Sequence, residues 1–315
     1  MKIVTSELNK EELAELDSAG LDLEIVVADT DDDLYREIVD ADALLGPKPT
    51  PELLRRAKKL RWIQLKWVGV SRMMFPELAN SDIILTNGRG ITTVPIAEHT
   101  MALILAAARA LPSSFRHQRE KVWESHSNLS VGEIAGSTLG IVGLGRIGRQ
   151  LAKRAHAFDM SIRAVDPVAE EKPDYVESLQ GADRLHDLLV RSDYLTICCP
   201  LTSETQGMIG KHEFQIMKSS AFFINISRGA IVDQPAMIEA LRGKEIAGAG
   251  LDATTPEPLP PESPLWEMEN VIITPHHAGQ SPKAQGRVVE LYRDNLRRFI
   301  DGKPLVNVVD KILMY

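Results

Sequence analysis

A planar cation, a carboxylate and an imidazole recur in the last third of the chain, as Arg228, Glu257 and His276. Together they suit chemistry at an oxidised carbon. A guanidinium fork can grip a carboxylate through two parallel hydrogen bonds. An imidazole can give and reclaim a proton near neutral pH. A carboxylate beside the imidazole can orient it and favour its protonated form. Taken singly, each residue also has an ordinary reading. Arg228 could be a surface loop charge, Glu257 a solvated acid in a Pro-rich turn, and His276 stands next to the equally titratable His277.

A second signal lies upstream, in Gly143-Leu144-Gly145-Arg146-Ile147-Gly148. The motif follows an apolar strand and opens an amphipathic helix, Arg146 to Ala157. In that context Gly143 permits a tight turn, Gly145 lets the backbone approach a pyrophosphate, and Gly148 lets helix and strand pack closely. The helix N-terminus adds N–H donors and partial positive charge. Asp166, 18 residues beyond Gly148, ends the next strand, where an acid can bind ribose hydroxyls. An Asp before a Pro is also a common turn-former. NAD is the expected cofactor and NADP the alternative, since an NADP site more often places an Arg at this point.

The elements that must position these residues follow an alternating pattern. Short apolar runs at 2–4, 23–27, 43–45, 62–64 and 83–85 read as strands, with helical spacing near 10–18, 31–39 and 50–58. A long Ala/Leu-rich helix covers Ile96 to Leu111, and a polar stretch without strand signal runs from Pro112 to Gly136. A second series of six strands follows, at 139–142, 162–165, 194–197, 222–225, 247–251 and 271–273, before a last helix at about 284–300. The expected fold class is α/β, with two Rossmann-like or flavodoxin-like domains built on parallel sheets. Arg228, Glu257 and His276 each follow a strand of the second series, so each side chain is delivered beyond a strand's carboxyl end.

Bulk properties narrow the class. The chain has 315 residues, enough for two domains, with 44% apolar and 25% charged residues and a formal net charge of −8. No basic block suggests a nucleic-acid partner. The longest apolar run, Met101 to Ala108, is too short to span a bilayer, so no membrane partner is expected. The two cysteines, Cys198 and Cys199, are neighbours and make a poor staple. Reduced thiols and a cytoplasmic location are the expectation.

With these motifs in order, the sequence resembles the D-isomer-specific 2-hydroxyacid dehydrogenase family along essentially its whole length. The resemblance rests on the glycine motif, Pro-Leu-Thr at 200–202, the stretch Asn225 to Gly229, Pro-Glu-Pro at 256–258 and Pro-His-His-Ala-Gly at 275–279. It implies an NAD(P)-dependent oxidoreductase that moves a hydride between a nicotinamide and a small 2-oxo or 2-hydroxy acid, with the active site in the cleft between domains. It implies a substrate domain of residues 1–97 plus 286–315 and a dinucleotide domain of 98–285. Arg228 would bind the substrate carboxylate, His276 would be the general acid/base, and Glu257 its partner. Cofactor contacts would come from Gly143, Gly145, Arg146, Ile147, Gly148, Asp166, Cys199, Pro200, Thr205, Ile226, Ser227, Arg228, His276 and Gly279, with Asp252 on the nicotinamide carboxamide. Val68, Gly69 and Val70 would add backbone contacts to substrate. No metal is implied, and a homodimer is.

Departures bear on the substrate. Ser71 replaces the family's usual Asp, with Arg72 beside it, and Cys198 replaces a common His. Trp67 could narrow access or lie in the core. Met101–Ala108 fits either a dimer interface or a helix buried inside its own domain, and Trp123 matches a family tryptophan that in some members reaches the partner's site. Two other readings stand beside the dehydrogenase. One is a non-enzymatic NAD(H)-sensing regulator on the same fold, the other a dehydrogenase of phosphite or formate.

Overall fold

The computed structural model describes residues 1–6, 8, 12–13, 23–70, 73–124 and 131–312. The helix expected near 10–18, as well as Ser71 and Arg72, fall largely or wholly outside these residues. Internal contacts divide the chain into two compact units, Met1–Thr92 with Ser281–Tyr315, and Thr93–Gln280.

The first unit holds five parallel strands, β1 (Lys2–Thr5), β2 (Glu24–Val27), β3 (Ala43–Gly46), β4 (Trp62–Leu65) and β5 (Ile84–Thr86), in the order β2-β1-β3-β4-β5. Alternation along the strands builds two hydrophobic layers, because successive side chains point to opposite faces. Ile3, Ala43, Leu45 and Trp62 pack with Tyr292 and Leu296 of the helix Ala284–Ile300. Val4, Leu44 and Ile63 pack on the other face with Leu34, Ile38 and Leu53. Burial on both faces explains why these strands read as short continuous apolar runs.

A buried polar network ties the returning C-terminal helix into this sheet. Asn295 donates through Nδ2 to Gln64 Oε1 at 2.7 Å and to Val306 O at 3.1 Å, and its Oδ1 accepts from Val306 N at 2.8 Å. Gln64 Oε1 also accepts from Thr86 Oγ1, which in turn accepts from Trp62 Nε1, both at 2.8 Å. Gln64, Thr86 and Asn295 are fully buried, so each polar atom needs these partners.

The second unit holds seven parallel strands: β6 (Thr138–Val142), β7 (Ser161–Val165), β8 (Ser178–Gln180), β9 (Tyr194–Ile197), β10 (Phe222–Asn225), β11 (Gly248–Leu251) and β12 (Val271–Ile273). Their order is β12-β11-β10-β9-β6-β7-β8. Six strands were expected in this series. The extra one, β8, is a three-residue edge strand, Ser-Leu-Gln, whose single apolar residue leaves no pattern to read. Helices Thr93–Ala108 and Arg146–His156 cover one face through Ala97, Met101, Ile104, Leu151 and Ala155. Leu188, Leu189, Phe214, Met237 and Leu241 cover the other.

Met101, Leu103, Ile104 and Ala108 therefore belong to the core of their own unit, while Ala102 is exposed and Leu105 to Ala107 are half-buried. The polar stretch after it contains a helix, Leu111–Glu120, that buries none of its residues and so shows no apolar stripe. Among the described residues no single helix is long and apolar enough to cross a membrane.

Replacing Asn295 by Leu removes three hydrogen bonds and leaves the half-buried Val306 N without its acceptor. We expect a loss of about 2–4 kcal/mol, measured as a lower urea midpoint with unchanged slope. A midpoint equal to the parent's would show that the network does not hold the C-terminal helix.

Candidate active site

The glycine turn between β6 and helix Arg146–His156 is built by close approach. Gly143 has φ +97°, and a Cβ there would lie 2.7 Å from Cys199 N, so the turn sits directly against the segment that follows β9. A Cβ on Gly148 would lie 2.3 Å from Gly143 O, which is where the helix packs on the strand end. Gly145 differs from both. Nothing lies within 4 Å of an added Cβ, so it faces open space. It is also the helix N-cap and supplies no side-chain cap to the first turn. An open backbone face at a helix N-terminus is the cradle a pyrophosphate requires, so these residues fit a dinucleotide.

Asp166 ends β7 and is half-buried. Its Oδ2 accepts from Leu144 N at 2.7 Å, and its Oδ1 from Val168 N and Ala169 N at 2.8 and 2.9 Å. The carboxylate thus shapes its own loop, the turn-forming role open to an Asp before Pro, and anchors the glycine turn as well. Two ionised oxygens offer about four acceptor sites, so capacity for a hydroxyl remains.

Beyond β9, Cys199 is buried and Thr205 Oγ1 donates to Pro200 O at 2.7 Å, folding the 200–205 loop on itself. Burial pushes both thiols up, Cys199 to about 12, so Cys198 and Cys199 are packing groups with negligible thiolate at neutral pH. Ser227 Oγ donates to Cys199 O, which ties the segment after β10 to the segment after β9. Ile226 is buried beside it.

Arg228 lies in the turn after β10. Asn225 organises that turn, accepting from Ser227 N at Oδ1 and donating through Nδ2 to Arg228 O, each at 3.0 Å. The half-buried guanidinium donates to Ser227 O at 2.8 Å. A Cβ on Gly229 would lie 2.0 Å from Thr254 O, so this turn abuts the loop after β11. That loop carries Glu257, and the segment after β12 carries His276.

Glu257 and His276 meet. His276 Nδ1 lies 3.1 and 3.0 Å from the two carboxylate oxygens, and Glu257 Oε1 also accepts from Thr254 N at 3.2 Å. Because an ionised carboxylate only accepts, Nδ1 carries the proton in this pair. His276 has φ +50°, a left-handed conformation uncommon for a side chain of this size. His277 points elsewhere, packing edge-to-face on His99 with ring centres 5.2 Å apart. Asp252, 3% exposed, accepts at Oδ1 from Thr274 Oγ1 and His277 N, and at Oδ2 from Ala278 N. Gly279 closes this segment. Sequence reasoning missed His99 and Thr274; a titratable residue in an apolar helix and a hydroxyl at a strand end were the available signals.

In the first unit, Val68, Gly69 and Val70 form the loop after β4, with Val70 buried. Asn87 Nδ2 donates to Val68 O at 2.9 Å, and Gly88 N to Trp67 O at 2.8 Å, so the segment after β5 holds this loop. Trp67 is partly exposed, with Lys66 Nζ 4.9 Å from its ring centre, and is not a core residue.

A sequence model described as D-isomer specific 2-hydroxyacid dehydrogenase, NAD binding domain, matches residues 101–278. The chain is 37% identical over 286 residues to a glyoxylate reductase of Korarchaeum cryptofilum, covering 88% of this chain and 85% of that one. It is 34% identical over 315 residues to a D-3-phosphoglycerate dehydrogenase of Archaeoglobus fulgidus; 98% of this chain is covered, but the chain spans 59% of that relative's length. A crystal structure of an NADPH-dependent glyoxylate/hydroxypyruvate reductase from Sinorhizobium meliloti, in complex with NADP and sulfate, is similar with a TM-score of 0.85 at 27% identity, over 100% of this chain and 99% of that one.

The three glycines separate folding from binding. Gly145→Ala has room for its methyl group, so its melting temperature should stay near the parent's while NADH binding weakens by about tenfold or more, read by fluorescence titration. Gly148→Ala forces a methyl against a carbonyl and should cost about 1–3 kcal/mol of stability. Parent-like NADH affinity in Gly145→Ala would remove the pyrophosphate from this turn. The match over residues 101–278, together with the relatives' identity and coverage, shows that the chain belongs to the D-isomer specific 2-hydroxyacid dehydrogenase family, with residues 101–278 as its NAD-binding domain.

Proposed function

We propose that this protein reduces a small 2-oxo acid to the D-2-hydroxy acid, or runs the reverse reaction, and that Arg228, Glu257 and His276 carry the chemistry. The observation that supports this most directly is the His276–Glu257 pair at 3.0 Å, on a segment held in a left-handed backbone conformation. A bound nicotinamide would supply the two-electron hydride equivalent.

The chain's own residues do the rest. Arg228 binds the substrate carboxylate through its planar fork, fixing which carbonyl face is presented. Glu257 holds Nδ1–H, which leaves Nε2 of His276 as the atom that gives a proton to the carbonyl oxygen and takes it back in oxidation. Val68, Gly69 and Val70 contribute backbone donors to the substrate, so residues 1–92 and 281–315 act as the substrate domain.

Gly143 to Gly148 hold the pyrophosphate, Asp252 accepts from the nicotinamide carboxamide, and Cys199, Pro200, Thr205, Ile226, Ser227 and Gly279 border the dinucleotide. Asp166 binds the adenosine ribose. Its charge, with Glu170 and Glu171 close behind in sequence, opposes a 2′-phosphate and supports NAD over NADP. The protein works as a homodimer, using the exposed apolar side chains Phe115, Val122 and Trp123 that follow the core helix.

The test is initial-rate measurement with glyoxylate, hydroxypyruvate, pyruvate and bulkier 2-oxo acids, each with NADH and NADPH. At least one pair should turn over. None turning over despite tight NADH binding would favour a nucleotide-sensing regulator instead. His276→Ala should lower kcat about 10²–10⁴-fold with NADH affinity nearly intact, whereas His277→Ala should keep a kcat within about tenfold. Parent-like turnover by His276→Ala would sink the assignment.

A further inference from the structure

The strongest unexplained feature is a chain of side chains behind the His276 segment. His99, on the helix Thr93–Ala108, places Nε2 at 2.9 Å from Thr274 Oγ1, and Thr274 Oγ1 lies 2.6 Å from Asp252 Oδ1. Proton counting gives this chain a direction. Asp252 as a carboxylate only accepts, and Thr274 has a single hydroxyl proton, which the 2.6 Å contact commits to Asp252. Thr274 Oγ1 must therefore accept from His99, and His99 carries its proton on Nε2. Asp252 in turn accepts from His277 N and Ala278 N at 3.0 Å.

The two ends of that chain bracket His276. Thr274 lies two residues before it and His277 one residue after, and both are tied to the same buried oxygen, Asp252 Oδ1. The strained residue between them, at φ +50°, is the one whose ring meets Glu257. Strained backbone persists where surrounding bonds over-determine it.

His99, Asp252 and His277 also have the composition of a metal site, with ligand atoms within 4.8 Å of one another. Their hydrogen bonds argue for a different use. The Thr274 hydroxyl stands between His99 and the carboxylate, the His99 nitrogen facing it is a donor, and His277 meets Asp252 through its backbone N–H. Burial holds the His99 imidazole below its ordinary value, against the opposing pull of Asp252, so the ring is neutral at neutral pH and keeps the single Nε2 proton that the chain requires.

We infer that His99, acting through Thr274 and Asp252, is a positioning residue that holds the His276 turn in the backbone conformation from which the imidazole reaches Glu257. The inference rests on the reading of His276 as the proton donor only for its kinetic consequence. The geometric claim stands on the hydrogen bonds.

Four variants of the full chain test it. Thr274→Val keeps the volume and removes the hydroxyl, while Thr274→Ser restores it. His99→Leu removes the donor, while His99→Gln returns an N–H. In Thr274→Val and His99→Leu, kcat should fall about 10–10²-fold with the KM for NADH within about twofold. Thr274→Ser and His99→Gln should recover to within about threefold of the parent. Parent-like kcat in both deletion variants would overturn the inference, as would equal losses in deletion and rescue variants, which would indicate packing alone.

A second readout needs no turnover. The ¹⁵N shifts of the His276 ring should move on Thr274→Val, toward those of an imidazole without a carboxylate partner, and return in Thr274→Ser. Unchanged shifts would overturn the inference even if the parent reduces no 2-oxo acid. Shifts that move as expected in an inactive parent would sustain it while the dehydrogenase reading fails. Zinc bound one-to-one by the parent and lost in His99→Gln would replace the relay with a metal site.

Discussion

A buried carboxylate with three donors organises the segment that follows the last strand of the second domain. Removing the Asp252 charge from water is costly unless its oxygens are satisfied. Here Thr274 Oγ1, His277 N and Ala278 N satisfy them. The same bonds that solvate the charge fall on both sides of His276, whose backbone is left-handed at φ +50°. Electrostatic satisfaction and geometric precision are one interaction at this point.

The loops around it are coupled in the same way, by short contacts between segments that follow adjacent parallel strands. Gly143 lies against Cys199, Ser227 Oγ donates to Cys199 O, and Gly229 lies against Thr254 O. A parallel sheet forces these segments to emerge at one edge. Glycine at 143 and 229 lets their backbones touch. The first domain uses polar side chains to a similar end. The buried Asn295–Gln64–Thr86 network joins β4, β5 and the C-terminal helix, and Asn87 carries the bracing on to Val68 O. In both domains a rigid strand-end frame carries the irregular segments proposed to meet ligand.

Members of the family share the fold of this chain but differ from it in length. The chain covers 85% of the glyoxylate reductase it resembles but 59% of the phosphoglycerate dehydrogenase. The shared part contains both domains described above. Beside the loop proposed to meet substrate, Val68 to Val70, Lys66 lies over the partly exposed ring of Trp67.

Much was legible in the sequence because its cause is local. Strands buried on both faces must be apolar, and among the described residues eleven of twelve strands stood out as short hydrophobic runs; the helix Ala284–Ile300 was readable from its stripe. The glycine turn was legible because only glycine tolerates such close backbone approach. Two elements went unread for want of an apolar signal, the edge strand Ser178–Gln180 and the helix Leu111–Glu120, while helices such as Leu185–Arg191 and Gln234–Arg242 are too short to show a clear period. By itself the sequence determined the α/β class and the glycine turn, and it singled out Arg228, Glu257 and His276 as candidates. Only the tertiary structure decided which of two adjacent histidines meets Glu257, that Met101, Leu103, Ile104 and Ala108 are core, and that His99 stands behind Thr274. These depend on a backbone torsion and on contacts between residues up to 175 positions apart, which no local pattern encodes.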